Sequence, residues 1–138
     1  MVLYIWLLLM KCYKAKKFAH EAKKLKVTDK LLSDTLVHFL ETGDDGRQRY
    51  SLGAGLYKLR LATNEGQGKS AGSRTILAYN TDSRVIWLHL FVKNDKGNVS
   101  TTELKKLKSL ADILLELSAN DIARLIKLGE LCEVDEYV

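Results

Sequence analysis

Cations spaced along the middle of the chain are the residues best able to do chemistry in this sequence. Lys58 and Arg60 alternate with apolar residues, Lys69 stands in a glycine-rich segment, and Arg74 opens the next apolar run. Lys93 ends a third apolar run. Guanidinium and ammonium groups hold a phosphodiester and stabilise charge that builds up on its oxygens. The residues therefore predict a polyanion site and leave open whether it only binds or also cuts.

Two alternative chemistries lack the residues they need. The segment 66–70 (Gly-Gln-Gly-Lys-Ser) ends like a nucleotide-binding P-loop, but Thr63 stands where that pattern requires its first glycine. A strand rather than a helix is also predicted to follow it. Neither paired carboxylates on a strand face nor a Ser-His-Asp set is apparent, so glycosidase and serine-hydrolase chemistry have no support in the sequence.

The composition indicates a single basic domain without a metal or other cofactor. The 138 residues carry a formal net charge of +5, which favours an anionic partner such as nucleic acid. Cys12 and Cys132 are the only cysteines and are far apart, so we expect reduced thiols in a cytoplasmic protein and no zinc site.

The apolar segment 1–9 stands apart from the rest of the chain. It is too short to span a bilayer, which takes about 20 residues, so we expect no membrane partner. We expect that it lies upstream of a natural start at Met10 and that residues 10–138 form one domain. The alternative is an extra strand or helical turn packed on the core.

The hydrophobic periodicity predicts an α+β fold with two N-terminal helices, a small antiparallel sheet of about three to five strands, and C-terminal helices. The predicted helices span residues 15–25, 27–42, 101–117 and 119–128. The predicted strands span residues 56–63, 73–80 and 84–93, with shorter candidates at 10–14, 47–52 and 131–134. The run 84–93 is apolar on both faces, which indicates a central strand covered on both sides, or covered on one side and dimerised or bound on the other.

Three ordered motifs resemble the RelE/ParE superfamily of bacterial toxins, most closely its RelE-like, HigB-related branch. They are 53–60 (Gly-Ala-Gly-Leu-Tyr-Lys-Leu-Arg), 66–75 (Gly-Gln-Gly-Lys-Ser-Ala-Gly-Ser-Arg-Thr) and 91–99 (Phe-Val-Lys-Asn-Asp-Lys-Gly-Asn-Val). The resemblance extends from Met10 to about Asp135. It implies the RelE-like fold and a type II toxin that pairs with an antitoxin, often of the helix-turn-helix kind.

Such a toxin binds the ribosome and inhibits translation by cutting messenger RNA. The ribose 2′-hydroxyl attacks the scissile phosphate, and no metal or other cofactor takes part. The alternative on the same fold is a binding protein without nuclease activity, either a gyrase-targeting toxin or an inactive member that binds its antitoxin.

The motif match also implies roles for individual residues. Lys58 and Arg60 would lie against the scissile phosphate, one of them serving as base, while Arg74 stabilises the transition state. Lys93, or Lys96 beyond it, would assist the leaving oxygen. The RNA-binding residues that the resemblance implies are Lys69, Asn94, Lys96 and Asn98.

Ser100 marks a departure from the best-understood toxins of this superfamily. Those toxins carry a tyrosine after the third motif that stacks on a base, and Ser100 stands nearest to its position. Stacking on an aromatic ring contributes about 1–3 kcal/mol per base. The motifs therefore leave base recognition without its usual side chain.

Overall fold

A mixed six-stranded sheet, covered by helices on both faces, carries the residues of interest. The computed structural model describes residues 10–61, 72–80, 84–92 and 99–134. The strands, which lie in the order β2-β3-β4-β5-β1-β6, are β1 Lys11–Ala15, β2 Ser51–Gly53, β3 Leu56–Arg60, β4 Ser73–Asn80, β5 Arg84–Val92 and β6 Leu131–Glu133. The helices are α1 Lys16–Leu25, α2 Asp29–Glu41, α3 Gly43–Gln48, α4 Thr101–Glu116 and α5 Ala119–Lys127. The segment 1–9 lies outside the described residues, and the expectation about it stays a prediction.

Alternation along the strands separates two hydrophobic clusters, one on each face of the sheet. Leu59 and Leu77 point to the face covered by α1 and α2, where they pack with the buried Phe18 and Leu36. The opposite face packs against α4 and α5 through the buried residues Leu56, Ile76, Ile86, Ala111, Leu114 and Ile122. Strand β5 contributes to both clusters and lies between β4 and β1. The prediction of a central strand covered on both sides is confirmed.

The α+β class is confirmed, but the predicted layout of the sheet was wrong. The sheet is mixed rather than antiparallel, because β1 runs parallel to β5 with Lys11 opposite Arg84. It has six strands rather than three to five, because β6 pairs with β1 at the far edge. These pairings join residues that are far apart in sequence, and periodicity within one short segment does not reveal such partners.

The helix layout also differs from the expectation. The sequence predicts a turn at 44–46 and a short strand at 47–52, but α3 occupies Gly43–Gln48 and the strand is confined to Ser51–Gly53. Asp44 and Asp45 lie in the first turn of α3, where negative charge interacts favourably with the helix dipole. Arg47 forms an ion pair with Asp44 and donates a hydrogen bond to the Leu40 carbonyl oxygen at 3.2 Å. These contacts stabilise a short helix at Gly43–Gln48.

Side-chain hydrogen bonds fix both ends of α4, the helix that covers part of the cation-bearing face of the sheet. Ser100 caps its N-terminus by accepting from the Glu103 N–H at 3.1 Å, and the Glu103 carboxylate accepts from Ser100 in return. The sequence alone predicts Thr101 or Thr102 as this cap, which is wrong, because the cap lies one or two residues earlier, at Ser100. At the other end, Arg84 Nη1 donates to the carbonyl oxygens of Leu114 and Leu117 at 2.7 and 2.8 Å.

An aromatic cluster packs α2 against β3 and β4 from the face opposite the cations. The ring of Phe39 lies 5.0 Å from Tyr57 and 5.3 Å from Tyr79, in edge-to-face geometry. The Tyr79 hydroxyl is buried without a hydrogen-bond partner among the described residues. Burial raises the pKa of Tyr79 above its ordinary value of 10.0, and the nearby Arg47 guanidinium opposes that shift.

Removal of the Tyr79 hydroxyl tests whether burial raises its pKa in the folded protein. Because the folded state raises the pKa of Tyr79, its stability contribution is present below pH 10 and is lost as the pH rises through the folded-state pKa. We expect Tyr79→Phe to keep the free energy of unfolding within about 1 kcal/mol at pH 7. We also expect the variant to lose less stability than the wild type at about pH 10.5.

Urea denaturation at the two pH values measures both effects. Tyr50→Phe, which alters an exposed ring outside the cluster, is the matched control. An identical loss of stability at high pH in Tyr79→Phe and in the wild type would contradict the raised pKa of the buried Tyr79 hydroxyl.

Candidate functional site

Lys58, Arg60 and Arg74 lie on one face of the sheet, where β3 and β4 run side by side. The cluster of Tyr57, Leu59 and Leu61 with α2 occupies the other face, so alternation turns Lys58 and Arg60 away from it. Arg74 stands directly opposite Arg60 in the antiparallel register of β3 and β4. The three cations predicted from β3 and β4 are therefore brought together. We call this group the cationic face.

The pairing of Arg60 with Arg74 is the closer of the two kinds found in antiparallel sheets. The Leu61 N–H donates to the Ser73 carbonyl oxygen at 3.3 Å, so the neighbouring pair, Arg60 and Arg74, is the non-hydrogen-bonded one. Cα atoms of such pairs are about 4.5 Å apart. Within the described ranges, no carboxylate forms an ion pair with either guanidinium. Two like charges are thus paired across the strands, and an anion between them would relieve their repulsion.

Arg74 is the member of the cationic face that the backbone orients most directly. Its side chain is half-buried, and Nη1 donates to the carbonyl oxygens of Gly72 at 3.2 Å and Ser73 at 3.5 Å. Arg60 is exposed, and Lys58 is half-buried. One guanidinium is therefore oriented before a ligand arrives, while the other stays accessible on the surface.

A β-bulge in β5 places His89 and Phe91 next to the cationic face. Strict alternation along β5 predicts that His89 shares a face with Trp87, but the register shifts so that His89 pairs with Ile76 and Trp87 with Leu77. The rings of His89 and Phe91 lie 5.4 Å apart, and Phe91 is directly opposite Arg74. The alternation prediction was wrong here because the bulge adds one residue to β5.

The family comparison agrees with the motifs that carry these residues. A family model described as the RelE toxin of the RelE / RelB toxin-antitoxin system matches residues 10–134. The chain belongs to the RelE toxin family. No curated protein and no solved structure matches it. The expected RelE/ParE resemblance is confirmed, and membership of a toxin-antitoxin family implies an antitoxin as partner.

Several predicted site residues of this RelE-family toxin lie outside the described residues. They are Lys69, Lys93, Asn94, Lys96 and Asn98. The two segments that contain them, 62–71 and 93–98, are joined to the strand ends at Leu61, Gly72 and Val92. Leu61 and Gly72 are next to Arg60 and Ser73 in the chain. Val92 pairs with Ser73, the residue that precedes Arg74. The roles of the five residues stay predictions.

The described part of this RelE-family toxin offers no metal centre. Within residues 10–61, 72–80, 84–92 and 99–134, no three His, Cys, Asp or Glu side chains are grouped to hold an ion. In the same ranges, no helix is long and apolar enough to cross a membrane.

Motif reasoning missed Tyr50 of this RelE-family toxin as a neighbour of the cationic face. The Lys58 N–H donates to the Tyr50 carbonyl oxygen at 2.9 Å, which places the two residues side by side. No residue spacing in the sequence indicates this contact, because it depends on how β2 pairs with β3.

The Arg60–Arg74 pair should destabilise this RelE-family toxin at low salt. Like charges directly opposite each other in a sheet cost about 0.2–1 kcal/mol. We therefore expect Arg60→Gln to raise the free energy of unfolding by up to that amount at low ionic strength. The gain should shrink as salt screens the repulsion, since the Debye length is about 10 Å at 0.1 M.

Urea denaturation at about 0.01 M and 0.5 M salt measures the effect. Arg124→Gln on α5 is the matched control, because it removes an exposed arginine that has Asp121 as a partner at 3.8 Å. A loss of stability in Arg60→Gln at both salt concentrations would show that Arg60 stabilises the fold instead.

Proposed function

We propose that this chain is a ribosome-dependent messenger RNA endonuclease that inhibits translation and is held in check by its antitoxin. The observation that carries the proposal is the cationic face, where Arg60 and Arg74 stand opposite each other with Lys58 two residues along β3. A planar guanidinium donates paired hydrogen bonds to the oxygens of a phosphodiester. Two guanidiniums on neighbouring strands can therefore contact the non-bridging oxygens of one phosphate. Membership of the RelE toxin family supports the same function.

The proposed reaction is an attack within the RNA at one phosphate, which the surrounding cations stabilise. The ribose 2′-oxygen forms a bond to phosphorus and gives up its proton, while the bond from phosphorus to the 5′-oxygen breaks and that oxygen takes a proton. The products are a 2′,3′-cyclic phosphate and a 5′-hydroxyl. Negative charge rises on the phosphate oxygens between these events, and donors fixed in advance stabilise it. Arg74, oriented by the carbonyl oxygens of Gly72 and Ser73, is suited to that role.

The remaining residues receive roles around the same phosphate. Lys58 and Arg60 hold it. Of the two, the base that takes the 2′-hydroxyl proton is Lys58, because an arginine guanidinium stays protonated in proteins, and Lys93 or Lys96 donates to the leaving oxygen. Lys69, Asn94 and Asn98 contact neighbouring parts of the RNA. The reaction needs no metal, and it takes place in the bacterial cytoplasm, where the ribosome presents its message.

Replacement of Arg74 is the direct test of this function. We expect Arg74→Ala to reduce RNA cutting by about 10²-fold or more, because one preorganised donor to a transition-state oxyanion contributes about that much. The measurement is a brief induction of the full chain in bacteria, followed by mapping of RNA 5′ ends. Wild type should produce new ends inside translated reading frames, and the variant should not.

Two further variants separate catalysis from folding. Arg60→Gln changes an exposed side chain and should also reduce cutting, whereas Arg124→Gln on α5 should cut like the wild type. Growth arrest with intact messages would contradict the nuclease function and indicate another target, such as gyrase. Neither arrest nor cutting by the wild type would indicate an inactive, antitoxin-binding member.

A further inference from the structure

Tyr50 is an aromatic ring left on the surface beside the cationic face. Its relative exposure is 40%, and among the described residues it is the aromatic member of the exposed large hydrophobic side chains. The rings of Phe39, Tyr79 and Trp87 are buried in the core. A single exposed ring is ordinary on a protein surface, so the groups around Tyr50 carry the argument rather than its exposure.

The backbone holds Tyr50 firmly at this place. Tyr50 directly precedes β2, its carbonyl oxygen accepts from the Lys58 N–H at 2.9 Å, and its own N–H donates to the Arg47 carbonyl oxygen at 3.0 Å. The first of these bonds continues the pairing of β2 with β3 by one residue. The ring is thus attached to the same strand that presents Lys58 and Arg60.

A cavity of about 150 Å³ opens beside the Tyr50 ring at the edge of the sheet. It lies between α2 and β3, and its lining includes His38, Tyr50 and Arg60, with Phe39 and Leu59 behind them. This volume is below the 300–1,000 Å³ of typical drug-sized pockets, so it suits a single flat ring system. Arg60 is part of the lining, although the cavity lies on the α2 side of the sheet and alternation turns Lys58 and Arg74 to the other side. A ligand that reaches both must therefore pass around the exposed edge of β3 at Arg60.

Aromatic and histidine rings next to cations are the usual means of binding single-stranded RNA. Exposed bases stack on Tyr or His rings, while arginine contacts the phosphate that follows. We infer that Tyr50 and this cavity form a base-binding subsite, which stacks a nucleobase of the RNA whose phosphate lies on Arg60. This inference rests on the proposed function and adds to it the residue that recognises a base.

Ser100 supplies no such contact, which leaves the role to another residue. Its hydroxyl is engaged in the capping box with Glu103 at the start of α4. Tyr50 comes from a different part of the chain, before β2 rather than after β5. The subsite therefore approaches the phosphate from the β2 edge of the sheet.

The test measures binding of two single-stranded oligomers of equal length and charge. One is a 2′-O-methyl oligoribonucleotide with bases, which cannot be cut by attack of a 2′-hydroxyl, and the other has the same backbone without bases. Full-length wild type should bind the base-bearing oligomer more tightly. Tyr50→Ala should weaken that binding by about 5- to 100-fold and leave binding of the abasic oligomer unchanged. Tyr50→Phe should behave like the wild type, because it keeps the ring.

Leu128→Ala is the matched control, since it truncates an exposed apolar side chain at the end of α5 and should change neither affinity. Tyr50→Trp gives a second measurement that does not require removal of the ring. The fluorescence that the new tryptophan adds to that of the wild type should be quenched by the base-bearing oligomer only. Urea denaturation verifies that each variant is folded.

The outcomes separate this inference from the proposed function. Equal affinity of wild type and Tyr50→Ala for the base-bearing oligomer, or absence of quenching in Tyr50→Trp, would overturn the subsite while the cationic face stands. Failure of the wild type to bind either oligomer would contradict the cationic face itself and the subsite with it.

Discussion

The fold holds two like charges against each other on neighbouring strands, and the proposed function depends on that constraint. Arg60 and Arg74 are fixed as a close cross-strand pair by the register of β3 and β4. Their mutual repulsion is about 0.2–1 kcal/mol. Burial of one large apolar side chain contributes about 1.5–3 kcal/mol, and both faces of the sheet bury several, among them Leu59, Leu77 and Ile76. The core can therefore maintain the pair, and a bound anion removes its cost.

Helices pack on both sides of the sheet, and Arg60 remains exposed on the cationic face. The aromatic cluster of Phe39, Tyr57 and Tyr79 packs α2 behind the strands and leaves the other face to α4. Helix α4 is fixed at its start by Ser100 and at its end by Arg84. Arg84 and Arg47 satisfy carbonyl oxygens of helices, whereas Arg60 remains exposed on the cationic face.

The sequence predicts the face of Lys58 and Arg60 correctly and the neighbours of several strands poorly. Alternation with Tyr57, Leu59 and Leu61 is a local pattern, so it correctly turned Lys58 and Arg60 to one side. Strand β4 also has the predicted bounds, Ser73–Asn80. The parallel pairing of β1 with β5, the bulge that moves His89, and the contact of Tyr50 with Lys58 depend on residues distant in sequence. Local periodicity has no access to such contacts, which is why the exposed ring beside the site was missed.

The salt dependence of RNA binding tests the central claim, that Arg60 and Arg74 bind one phosphate together, most directly. For single strands, the logarithm of the binding constant falls with the logarithm of salt concentration by about 0.7 per neutralised phosphate charge. Because either guanidinium alone neutralises that one phosphate, Arg60→Gln and Arg74→Gln should each leave the slope nearly unchanged, whereas the double variant should reduce it by about 0.7. Reductions that add up to about twice that value in the double variant would show two separate phosphate contacts, and an unchanged slope in all three would show that neither arginine binds the backbone.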